Sequence, residues 1–175
     1  MNPSHTLIII DGLPAVGKST LAKALAQRLK ATYIRIDTIE QAIREGISHA
    51  SYQTGPEGYL TGYYLAEDNL KMGMTVIADS VNALTITREG WLKTAKQTRA
   101  TAIQIEIYCS NKIEHRKRVE TRVVDIKNLT PPTWRSVCER EFEPWLDVDL
   151  RLDTAATTID NCLEKITDFI RDRSV

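Results

Sequence analysis

The residues Gly12-Leu13-Pro14-Ala15-Val16-Gly17-Lys18-Ser19-Thr20 satisfy the pattern GxxxxGK[ST], which leaves the chain few folds to choose from. Residues 6–10 before it are a short apolar, β-branched run, too brief for a helix and unbroken in the manner of a strand covered on both faces. In Lys18–Leu29, Leu21, Ala22, Leu25 and Leu29 share one helical face. The order is therefore strand, glycine loop, helix. Glycines let the backbone curl so that successive N–H groups point at phosphate oxygens, and the helix adds its positive amino-terminal end. Lys18 then reaches the β- and γ-phosphates, and the Ser19 hydroxyl is a ligand for Mg²⁺. A nucleoside triphosphate is the implied ligand, cradled by residues 12–20.

Further strands are predicted at 33–36, 75–78, 102–109 and 149–152, and helices at 38–44, 56–72, 87–97, 112–122, 133–143 and from Ile159 to the end. In 102–109, Ile103, Ile105 and Ile107 alternate with Gln104 and Glu106, which suggests one partly wet face. Residues 46–58, with Gly55-Pro56, read as a surface connection, and 123–133, with Asn128 and Pro131-Pro132, as a mobile excursion. Alternating strands and helices imply right-handed crossovers and a parallel sheet with helices on both faces, so ligands bind beyond the strand carboxyl ends. Asp11, Asp37, Asp79 and the glycine loop all map to that edge.

Composition narrows the partners. The 175 residues fit a single domain spanning 1–175, and 23 basic side chains balance 23 acidic ones. Zero net charge weighs against a protein living on nucleic-acid phosphates. No stretch approaches the ~20 apolar residues that span a bilayer, and no leader pattern opens the chain, so no membrane is expected and the cytoplasm is the default. Cys109, Cys138 and Cys162 are too few and too scattered for a disulfide framework or a metal cluster, and are expected as buried thiols. His5 and His49 fall in loops and His115 in a charged helix, and none carries a signal; Trp134 and Trp145 are equally silent.

With residues 12–20, Ile34-Arg35-Ile36-Asp37, Val76-Ile77-Ala78-Asp79-Ser80 and the pair Arg118 and Arg122 in this order, the chain resembles small P-loop kinases of the nucleoside-monophosphate-kinase type. It is most similar to the set that includes chloramphenicol phosphotransferase, gluconate and adenylylsulfate kinases, zeta-toxin kinases and the kinase half of polynucleotide kinase. The resemblance implies a three-layer α/β P-loop NTPase fold: a five-stranded parallel sheet in order 2-3-1-4-5, helices on both faces, and a small lid at 122–133. It also implies ATP and Mg²⁺ as cofactors, a hydroxyl of a small molecule as phosphate acceptor, and a monomer or homodimer.

In that pattern Asp37 contacts the acceptor hydroxyl and takes its proton; an N-cap of the helix at Thr38 is the alternative. Asp79 looks like the Walker B carboxylate that holds Mg²⁺ with Ser19, although the same region also serves the acceptor and a turn-forming Asp would look alike. Arg35 and Asn82 flank the edge as acceptor contacts. Arg118 and Arg122, one helical turn apart, match the arginines that stack on adenine and clamp the transferring phosphate; a solvated basic face is the alternative. The excursion would be a lid that excludes water. Arg88, Trp91, Tyr59, Tyr63 and Tyr64 are pocket candidates, though aromatics at such spacings are more often core, and Arg88 would meet an anionic or hydroxyl group of the acceptor. A polynucleotide 5′-hydroxyl kinase and a regulatory ATPase module remain as other readings. A GTPase is disfavoured, since Asn111-Lys112 is followed by Glu114 where an NKxD segment needs Asp.

Overall fold

The computed structural model describes residues 5–47 and 55–173; His49 and most of the expected 46–58 connection lie outside them. Strand β1 (Thr6–Asp11) organises the rest, because its apolar run is buried on both faces. Ile8 and Ile10 pack with Leu21, Leu25, Cys162 and Ile166, whereas Leu7 and Ile9 pack with Ala66, Leu70, Trp91 and Ala95. Alternation along one strand thus feeds two hydrophobic cores.

Around β1 the chain adds α1 (Lys18–Leu29), β2 (Thr32–Arg35), α2 (Ile36–Gly46), α3 (Glu57–Lys71), β3 (Val76–Asp79) and α4 (Thr85–Thr98). There follow β4 (Thr101–Tyr108), α5 (Lys112–Thr121), α6 (Trp134–Cys138), β5 (Leu150–Asp153) and α7 (Ile159–Asp172). All pairings are parallel and the order is β2-β3-β1-β4-β5, as the resemblance implied. Helices α1 and α7 cover one face, α3 and α4 the other. Local chemistry sets several ends. Lys30 closes α1 in the left-handed conformation, and the side chains of Asn111 and Thr158 accept backbone N–H groups at the starts of α5 and α7.

The expected helix over 133–143 stops at Cys138. The Glu143 N–H donates to Ala83 O at 2.8 Å, outside any helical pattern, so tertiary pairing overrides local preference. The expectation of three buried thiols holds for Cys162 alone: Cys109 is half-buried and Cys138 exposed. Helix α2 begins at Ile36, two residues earlier than expected, with Arg35 as its extended N-cap. Asp37 therefore lies inside the first turn, and no side chain caps the helix.

Candidate active site

The glycine loop is gripped from behind. Gly12 has φ 147°, and a Cβ there would stand 2.2 Å from Ile107 O, so only glycine fits. Its N–H donates to Asp11 Oδ1 at 2.6 Å. His115 Nε2 bonds Pro14 O at 2.8 Å with its ring edge-on to Trp134, and Thr154 Oγ1 donates to Val16 O at 2.7 Å. Sequence reasoning gave no role to His115 or Thr154. Thr154 follows the carboxyl end of β5, the position rule that singled out the aspartates. Helix α5 is charged nearly all round, which hides the inward stripe of His115 and Val119.

Asp11 is fully buried, and its Oδ2 has no hydrogen-bond partner. Burial pushes the carboxyl up to about 8, with Arg88 Nε, 3.9 Å away, opposing that rise.

Beyond the loop lie two cavities. The larger, about 800 Å³, is lined by Ala15, Gly17, Lys18, Ser19 and Thr20 together with Arg118, Arg35 and Thr154. Arg118 is fixed there by bonds from Nη1 to Thr154 Oγ1 at 2.8 Å and from Nη2 to Thr154 O at 2.9 Å, and it also meets Glu114. The smaller, about 490 Å³, lies between Pro14, α2, Tyr59 and residues 128–132 of the excursion. Lys18, Asp37 and Arg122 line both, and they are the residues that the two linings share. Neither Lys18 nor Arg122 has a side-chain hydrogen bond or ion pair among the described residues.

Next to this shared wall sits a charged cluster. Arg35, 7% exposed at its side chain, donates from Nη1 to Asp125 Oδ1 at 2.8 Å; its other nitrogens lie 3.8 Å from Asp79 and 3.9 Å from Asp37. Burial alone would lower the Arg35 pKa, but Asp125 and its other anionic neighbours raise it. Lys23 meets the other Asp125 oxygen, and together with Arg35 it holds that carboxyl well below the usual range. The Tyr33 hydroxyl donates to Asp79 Oδ2 at 2.6 Å; burial, and then Asp79, push the Tyr33 pKa up.

Asp79, Asn82 and Arg88 line neither cavity. Asn82 Oδ1 accepts from Ser80 Oγ and Trp91 Nε1 at 2.8 and 3.0 Å. Arg88 donates to the carbonyls of Asn82, Glu143 and Pro144. Of the candidate aromatics Tyr59 reaches the smaller cavity, Tyr63 and Trp91 pack edge to face at 4.7 Å in the core, and Tyr64 faces solvent. Gly12, Leu13 and Val16 shape the loop without lining either space.

A curled loop between the central strand and first helix of a sheet in this order defines a nucleotide-binding P-loop domain. The family described as AAA domain matches residues 7–135, and the chain belongs to it. Among solved structures it is similar to a candidate kinase from Chloroflexus aurantiacus, with TM-score 0.78, 22% identity, and coverage of 97% of this chain and 98% of that one. It is also similar to the Mycobacterium tuberculosis APS kinase CysC in complex with AMPPNP and APS (TM-score 0.75, 16% identity, 97% and 99% covered). Chaetomium thermophilum Kti12 in complex with ADP-AlF3 is a third (TM-score 0.68, 22% identity, 94% and 98% covered). At these identities the likeness speaks for the fold. No curated protein matches the chain. Among the described residues no helix is long and apolar enough to cross a membrane.

Proposed function

We propose that the protein is an ATP-dependent phosphotransferase that moves the γ-phosphate onto a hydroxyl of a small molecule held in the smaller cavity. The observation that carries this reading is the shared wall: Lys18, Asp37 and Arg122, alone among the described residues, border both spaces, so a triphosphate tail in one meets an acceptor in the other at those side chains. In-line positioning and charge neutralisation are most of what phosphoryl transfer requires.

In this mechanism the acceptor oxygen, hydrogen-bonded to the Asp37 carboxylate, attacks the γ-phosphorus. Its bond to phosphorus forms as the bond to the bridging oxygen of the β-phosphate breaks; the hydroxyl proton passes to Asp37 and ADP leaves. Lys18 and Arg122 hold the equatorial oxygens while charge redistributes. Asp37 suits its part because no side-chain cap bond occupies it at the start of α2, and its side chain keeps 34% exposure. Arg118, held by Thr154, offers its guanidinium plane to the adenine. Residues 122–133 act as the lid.

Mg²⁺ supplies charge neutralisation on the phosphates when bound, and it takes few protein oxygens because it keeps water and phosphate ligands. The Ser19 hydroxyl, which lines the larger cavity with no hydrogen-bond partner among the described residues, fits that need. Asp79 serves the site through Arg35 and Tyr33, which it holds in place. A cavity of about 490 Å³ suits a small acceptor better than a polynucleotide end. ATP as co-substrate fits a cytoplasmic setting.

The test is a screen of hydroxyl compounds with γ-labelled ATP and Mg²⁺. Label entering a compound, with loss of transfer in Asp37→Asn, is the expected result. Hydrolysis without transfer to any member of a broad set returns the chain to the regulatory reading.

A further inference from the structure

Thr154 stands 36 positions after Arg118 and 138 after Val16, yet its one hydroxyl meets both. Oγ1 accepts from Arg118 Nη1 at 2.8 Å and donates to Val16 O at 2.7 Å, while Tyr108 O is farther away at 3.1 Å. A hydroxyl carries one proton and two acceptor lone pairs, so the two shorter bonds form at the same time. Each strengthens the other. A charged guanidinium donating to the oxygen polarises the O–H toward the Val16 carbonyl, and a bonded proton leaves the oxygen a better acceptor.

Thr154 is itself held, at 7% exposure. Its N–H donates to Tyr108 O at 2.9 Å, and its carbonyl accepts Arg118 Nη2 at 2.9 Å. Asp153 Oδ1 accepts the N–H groups of Ser110 and Ala155, each at 3.0 Å, which fixes the turn after β5. The γ-methyl faces the glycine loop, where a Cβ at Gly17 would lie 3.6 Å from Thr154 Cγ2. Glu114 holds the Arg118 guanidinium as well. A side chain locked on a rigid element passes a displacement on instead of absorbing it. Val16 and Gly17 belong to the phosphate-binding loop, and Arg118 lines the same large cavity, so a single hydroxyl joins the phosphate cradle to the base side.

We infer that Thr154 is a positioning residue that couples the two halves of the nucleotide site: a base on Arg118 tightens the loop's hold on the phosphates, and phosphates in the loop fix the guanidinium for the base. Such coupling is reciprocal by necessity. The inference deepens the phosphotransferase reading and rests on it for the base at Arg118; the transfer step itself plays no part in it.

Calorimetric titration with AMPPNP and with tripolyphosphate, which has no base, reads the coupling in the presence of Mg²⁺ without any transfer. Thr154→Val removes the hydroxyl and keeps the methyl; Thr154→Ser does the reverse. Thr154→Val is expected to weaken AMPPNP about tenfold and tripolyphosphate about threefold, with Thr154→Ser within about twofold of wild type for both. Equal losses for the two ligands, or a serine variant as weak as the valine one, reduce Thr154 to packing and overturn the inference. A cycle with Arg118 supplies the second arm. Arg118→Ala is expected to weaken tripolyphosphate about threefold in the wild-type background and not at all once Thr154→Val is present. Direct attraction between the guanidinium and the polyphosphate would survive the valine, so equal Arg118→Ala effects in both backgrounds overturn the coupling. Coupling found while no hydroxyl compound takes label sinks phosphotransfer and leaves Thr154 in its role; no AMPPNP binding by the wild type overturns both.

Discussion

Arg35 Nη1 donates to Asp125 Oδ1 at 2.8 Å, joining the end of β2 to a residue of the 122–133 excursion 90 positions further along the chain. Lys23 grips the same carboxylate from α1, so one side chain of the excursion is held by two basic residues of the sheet-and-helix frame. This polar clasp ties the 122–133 excursion to the frame, helped by the Asn128 side chain donating to Glu45 Oε1 at 2.9 Å.

Replacing Asp125 with Ala is expected to speed amide exchange across residues 123–130 by about tenfold or less, with little loss of global stability. Half-exposed pairs contribute about 1 kcal/mol or less, which limits both effects. Since the folded carboxyl is depressed below its value of 3.8, the clasp is intact above about pH 4 and is lost on acidification. Hydrogen exchange read by mass spectrometry checks this; unchanged protection in the variant would show that the clasp does not hold the excursion.

Asp11 should make stability fall as the solution becomes alkaline. Its folded pKa lies near 8 against 3.8 for the free group, so the folded state retains a proton that the unfolded chain releases. The contribution is complete below about pH 4 and disappears as pH climbs through 8, with a slope of up to ~1.4 kcal/mol per pH unit. Asp11→Asn keeps an acceptor for the Gly12 N–H and should flatten that slope. Chemical denaturation at several pH values measures it, and parallel wild-type and variant curves would refute the assignment.

Lys18→Ala is expected to abolish transfer and weaken triphosphate binding, whereas Asp37→Asn should bind ATP normally and lose transfer by about a hundredfold or more. Nucleotide titration beside single-turnover kinetics separates the two. A variant lacking the Asp37 carboxylate that turned over at the wild-type rate would remove it from the mechanism.

Gly12→Ala should destabilise the protein by about 3 kcal/mol or more, through both a forced φ and the clash with the Ile107 carbonyl. Calorimetric unfolding reads the loss. A melting temperature within a degree or two of wild type would mean that β4 can retreat without cost.

Local signals explain which parts of the fold are legible in the sequence. The switch from β-branched run to glycine loop to amphipathic helix is written in consecutive residues, and it places β1, α1 and Lys18. Spacing and resemblance bring Asp37 and Arg122 to one wall. Whether Asp37 caps its helix depends on where α2 begins, and that start is set by Ile36 packing against Ala66 and Trp91, far away in sequence. Arg88 and Asn82 point to the acceptor side by sequence position, because the loop after β3 leads there, yet their polar atoms face inward to carbonyls and Trp91. The non-helical path after Cys138 depends on long-range pairing with Arg88 and Ala83 that no periodicity records.

Because, among the described residues, only three side chains border both spaces, the α2 positions Glu40, Gln41 and Arg44 can be altered without replacing any of the three. Such a separation makes the scaffold readily retargeted: descendants of one ancestor could keep the same fuel and diverge in what they modify, and an engineer could do likewise.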